Sequence, residues 1–60
     1  MKHQTFYIAK DNVDFATIAH LVHDLDHWRS LQCCTVDIVD VSTGELYAHR
    51  YGNGLWEICV

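Results

Sequence analysis

His20, His23 and His27 are the side chains whose type and spacing come closest to a reactive site. At about 100° per residue they fall within an arc of roughly 60° on one helix. His23 and His27, four positions apart, have the spacing at which two imidazoles share one metal ion. Asp24 stands beside them, and five histidines in 60 residues is a high density. The stripe has two readings. One is a Zn²⁺ or Ni²⁺ site completed by a cysteine, by water or by another chain. The other, preferred because no further ligand stands at a recognised spacing, is a solvated polar helix face. Metal binding or metal sensing through His20, His23 and His27 is therefore the alternative, and no cofactor is expected.

The same segment, His23-Asp24-Leu25-Asp26-His27, superficially copies the H-E-x-x-H helix of metalloproteases. Asp24 stands where that motif has the glutamate that acts as general base, and its carboxylate is one carbon shorter. A third ligand would have to come from His49 or another distant residue, so protease chemistry is rejected. Cys33 and Cys34 are adjacent, which is not the C-x-x-C redox spacing. On a strand they point to opposite faces, leaving Cys34 as a small core hydrophobe and Cys33 as the exposed thiol. A Cys33/His49/Asp37 nucleophile arrangement lacks any sign of an oxyanion hole. Asp37 and His49 read instead as an ordinary cross-strand pair. The glycine turns at 42–45 and 52–54 match no phosphate-binding pattern. A non-enzymatic chain is expected.

These residues must be positioned by few elements, because 60 residues allow one domain, 1–60. Such a chain buries only about 60% of the surface its unfolded form exposes. Thr5–Ala9 reads as a first strand, rich in aromatic and β-branched residues. Lys10-Asp11-Asn12 breaks it, and Asp11 or Asn12 is placed to cap a helix with Asp14 in its first turn. The helix is expected from Val13 to Arg29, with Phe15, Ile18, Leu21, Val22, Leu25 and Trp28 on its core side. From Cys33 to Val41 the pattern switches to period two. Ser42-Thr43-Gly44 reads as a hairpin loop with Gly44 left-handed. Strands follow at Glu45–Tyr51 and Leu55–Val60, with a three-residue turn Gly52-Asn53-Gly54 between them.

That register sets Val41 against Glu45, Asp37 against His49 and Ile38 against Ala48, and aligns Trp56 and Ile58 with Leu46 and Ala48. The expected fold is α+β: β-α-β-β-β, a mostly antiparallel four-stranded sheet with one helix on one face. The helix packs on Phe6, Ile8, Val36, Ile38, Ala48, Trp56 and Ile58. The opposite face carries Tyr7, Val39, Tyr47, His49, Tyr51 and Leu55, together with Thr35, Asp37, Glu57 and Cys59. Three tyrosines with Val39 and Leu55 make an aromatic patch rimmed by acid, of the kind that marks a partner surface.

Composition narrows the partner. Net charge is −4, and Lys2, Lys10, Arg29 and Arg50 are scattered, so direct nucleic-acid binding is not expected. No apolar run approaches the roughly 20 residues of a membrane span. The N-terminal residues do not form an export signal, and three cysteines, two adjacent, suit a reducing compartment; a cytoplasmic location is expected. The expected function is a small acidic protein-binding module, a regulator or stoichiometric inhibitor of a larger protein. It would suit a phage or mobile-element accessory protein acting on a nucleic-acid-handling target. Its partner-binding residues would be Tyr7, Val39, Tyr47, His49, Tyr51, Leu55, Asp37 and Glu57. Self-association is a further expectation.

Overall fold

β1 (Lys2–Ile8) begins three residues before the expected start, so that His3 and Thr5 share one side of the strand with Tyr7. The computed structural model describes residues 2–9 and 11–60; the break expected at Lys10 lies outside them. Asn12 takes a left-handed conformation, φ +57°, and the cap expected at Asp11 or Asn12 falls instead to Asp14. Its carboxylate accepts hydrogen bonds from the Thr17 amide at 2.8 Å and the Thr17 hydroxyl at 2.7 Å, satisfying donors that a helix start leaves orphaned.

α1 (Phe15–Leu25) is shorter than the expected Val13–Arg29. Two causes act at its end. Asp24 and Asp26 place negative charge where the helix macrodipole is already negative. Asp26 is also held from outside the helix, accepting from the Trp56 indole at 2.8 Å and from Arg50 at 3.3 Å. The chain tightens through His27 N to Asp24 O and Trp28 N to Leu25 O. A 3₁₀ turn at Arg29–Leu31, absent from the sequence reading, then delivers Leu31 to the core.

β2 (Cys34–Asp40), β3 (Leu46–Arg50) and β4 (Trp56–Ile58) complete a mixed, mostly antiparallel sheet in the order β1-β2-β3-β4. β1 runs parallel to β2, with α1 as the crossover between them; β2-β3 and β3-β4 are antiparallel. The core is formed by Ile18 and Leu25 of α1 with Leu31, Ile38, Tyr47 and Ala48, flanked by Phe6, Ile8, Leu21, Val22, Trp56 and Ile58. Val36 and Cys34 are buried as well. Phe15, expected inside, is 58% exposed: it opens the helix at the flank of a stripe centred on Ile18 and Leu25.

Away from the first turn the registers agree with expectation. Asp37 faces His49, Ile38 faces Ala48, and Ala48 faces Ile58. Gly44 is left-handed at φ +76°. At the turn itself the register slips. Asp40 N bonds Glu45 O at 2.8 Å, so the loop has one residue more than expected, and Val39 pairs with Leu46 across a bulge. The Asp40 carboxylate sets this geometry, accepting from Ser42 N at 2.7 Å, Ser42 Oγ at 2.6 Å and Thr43 N at 3.2 Å, an Asx turn that competes with a tighter hairpin. No helix among the described residues is long and apolar enough to cross a membrane.

Candidate functional site

The bulge decides what the open face of the sheet carries. An extra residue in one strand re-aims its neighbours, and here Tyr47 is the residue displaced. Tyr47, expected on the open face, is 8% exposed and belongs to the core cluster. Its hydroxyl donates to Asp40 Oδ2 at 2.8 Å, which holds the phenol above its usual pKa. Leu46, expected on the helix side, takes the place opposite Val39 and is exposed. Tyr47 is therefore a core residue.

What stands at the middle of the open face is polar. Thr5 pairs with Asp37 across β1 and β2, Asp37 with His49 across β2 and β3, and His49 with Glu57 across β3 and β4, so one row crosses all four strands. Asp37 uses both carboxylate oxygens. Oδ1 accepts from His49 Nδ1, and Oδ2 lies 3.2 Å from His3 Nε2. The other nitrogen of His3 is 2.6 Å from the Thr35 hydroxyl, which also donates to the Lys2 carbonyl at 3.4 Å. His49 meets Tyr51 edge-on, ring centroids 4.7 Å apart. The Glu57 charge beside Tyr51 raises its phenol pKa.

Tyr7, Tyr51 and Leu55 are exposed around this row, and Val39 is half-buried. The structure thus brings together Tyr7, Val39, His49, Asp37, Tyr51, Leu55 and Glu57 on one face, without Tyr47. His3 was not anticipated as a site residue, although its signal is in the sequence: it has the parity of Thr5 and Tyr7. Once β1 is started at Thr5, it drops out of view.

The other constellations are assembled only in part, with the His23 and His27 rings edge-on at 4.9 Å between centroids. His20 pairs with Asp24 at 3.6 Å. His27 lies beyond the end of α1, where its Nδ1 donates to the His23 carbonyl at 2.8 Å. Among the described residues no group of three or more His, Cys, Asp or Glu side chains is arranged to hold a metal ion. Cys33, left-handed at φ +63°, precedes β2 and lines a cleft of about 320 Å³ with Asp26, Arg50 and the 52–54 turn; it is not joined to Asp37 and His49. Comparison of the chain with protein-family models, with curated proteins and with solved structures gives no match.

Proposed function

We propose that this chain is a non-catalytic binding module whose open sheet face receives a larger protein. The observation that carries this reading is the row of cross-strand partners centred on Asp37, set among exposed Tyr7, Tyr51 and Leu55. Side chains already held by their neighbours lose little freedom on binding, which lowers the entropic cost of association. Exposed tyrosines supply rigid contact area with a polar tip.

Electrostatics gives the partner a sign. Among the described residues the face carries the carboxylates of Asp37 and Glu57 and neither lysine nor arginine, within a chain of net charge −4. It fits a basic surface, and a protein groove built for nucleic acid is one such surface. A regulatory or inhibitory role would follow from occupying that groove. Catalysis is not part of this reading, because the Asp37 oxygens are engaged by two imidazoles on an open surface.

The test is affinity capture from the native host, with parallel baits. Wild type should retain a protein that Tyr51→Ala and Glu57→Lys both lose, while His20→Ala, on the helix, retains it. Circular dichroism melts should show all three variants folded. A captured protein that survives both open-face changes but is lost with His20→Ala would move the working surface to the helix.

A further inference from the structure

The two edges of the sheet differ in their capacity to accept another strand. β4 is three residues long, and a short edge strand is a poor template. β1 runs for seven residues and lies outermost, so among the described residues no strand pairs with its outer backbone groups. Most of the features that ordinarily blunt an edge are missing from β1. It has no proline, its register against β2 is unbroken from Lys2 to Ile8, and its one charge is Lys2 at the start. Beside it, on the helix side, lies a groove of about 460 Å³ lined by Phe6, Leu21, Leu25 and Trp28 with His23 and His27. Phe6 meets Trp28 edge-on at 5.9 Å, and Trp28 stays half-exposed.

We propose that the β1 edge pairs antiparallel with β1 of a second copy, centred on Thr5, making a two-fold dimer with one continuous eight-stranded sheet. This edge borders the open face, since His3, Thr5 and Tyr7 of the same strand present their side chains there, but the inference does not rest on the function proposed above.

The strand is self-complementary in that register. Thr5 is the midpoint of Lys2–Ile8, so full overlap sets Thr5 against Thr5, His3 against Tyr7, Gln4 against Phe6 and Lys2 against Ile8. Thr–Thr and aromatic pairs are favourable cross-strand neighbours. The single cation meets Ile8 rather than its own copy, so no like charges are opposed. The two Phe6 rings become diagonal neighbours about 7–8 Å apart, beside the two-fold axis and next to their Trp28 rings. With the axis normal to the sheet both helices lie on one side and both open faces on the other. A parallel pairing would set open-face residues of one copy against helix-side residues of the other.

Size sets the strength. A seven-residue strand is about 23 Å long, and an isolated pair of strands is marginal in water. Apolar surface at the groove adds to it, yet the contact stays at the low end beside the roughly 800 Å² per partner of a standard interface. A reversible dimer with Kd on the order of 10–100 µM is the expected result.

Sedimentation velocity on the full chain, from about 5 to 500 µM at about 0.15 M salt, where charges more than about 8 Å apart are screened, should show a concentration-dependent dimer. Thr5→Lys, which opposes two ammonium groups across the axis, should weaken it at least about tenfold without lowering the melt. The register is read by cysteine cross-linking in a Cys33→Ser, Cys59→Ser background. Under mild oxidation Thr5→Cys should form a disulfide dimer at least about tenfold faster than Tyr7→Cys, because cross-strand partners stand about 4.5–5.5 Å apart at Cβ, within small adjustment of a disulfide. A monomer at 500 µM with no Thr5→Cys cross-link overturns the proposal. Equal cross-linking at both positions overturns it too, since random encounter would give that result.

Discussion

Arg50 is the residue whose surroundings explain most about how the crossover connection is held. A guanidinium with 6% of its residue surface exposed is costly unless its donors are used, and here they are. It donates to the Leu31 carbonyl, to the Cys34 carbonyl at 3.2 Å and to Asp26 at 3.3 Å, while its plane lies 5.7 Å from the Trp56 ring. It therefore ties the 3₁₀ turn, the start of β2 and the end of α1 to β3, with Trp56 of β4 against it. Arg50→Leu keeps most of the volume but strips two buried carbonyls of their donor. We expect a loss on the order of 2–3 kcal/mol in a urea melt; a loss under about 0.5 would mean that water replaces the guanidinium. Asp40 gives a second residue-scale expectation. Hydrogen bonds from Ser42, Tyr47 and Thr43 lower its pKa to about 2 from the ordinary 3.8. A depressed carboxylate stabilises the fold above its unfolded pKa and loses that contribution as pH falls through the folded value. Stability should therefore decline between about pH 4 and pH 2, and Asp40→Asn should flatten that part of the thermal-melt profile. An unchanged slope in the variant would assign acid sensitivity to other carboxylates.

At the scale of elements, periodicity was enough to find the helix and the strands, and it failed where a single polar side chain overrode it. Ile18 and Leu25 sit seven apart and both are buried at 2% exposure or less, as a 3.6-residue repeat requires. Leu25→Ala should then cost on the order of 2–5 kcal/mol, whereas Phe15→Ala should shift the melting curve little. Comparable losses for the two would mean that Phe15 is packed after all. Helix ends were harder to read. Asp14 rather than Asp11 or Asn12 caps α1, because the decisive contact is with Thr17, and three candidate caps in four residues carry no ranking of their own. The far end depends on Asp26 meeting Arg50 and Trp56, 24 and 30 residues onward, which no local pattern reveals. The hairpin shows the same limit at the site. Alternation placed Asp37 against His49 correctly, but the Asx turn at Asp40 added one loop residue and exchanged Tyr47 for Leu46 on the open face. One hydroxyl, that of Tyr47 bonded to Asp40, accompanies the reversal of that part of the candidate surface.

At the scale of the whole molecule, the Asp37 row joins side chains of neighbouring strands on the side that no described helix covers. Its register runs through Thr5, Asp37, His49 and Glu57 on all four strands, and its side-chain contacts join His3 of β1 and His49 of β3 to Asp37 of β2. Polar side-chain pairs at this degree of exposure contribute little singly, so their collective behaviour is the informative quantity. His3 and His49 approach different oxygens of one carboxylate. Each fixes the rotation of that group for the other. Remove one imidazole, and the carboxylate turns more freely and holds the remaining partner less well. A double-mutant cycle with His3→Ala, His49→Ala and the combined variant should therefore be non-additive, with the double substitution costing about 0.5 kcal/mol less than the sum. The same cycle in an Asp37→Ala background should lose that coupling, because the shared group is gone. Additivity within about 0.3 kcal/mol in the wild-type background would make the two histidines independent surface residues. The open face would then carry separate polar side chains rather than a pre-set surface, and the binding reading would rest on Tyr7, Tyr51 and Leu55 alone.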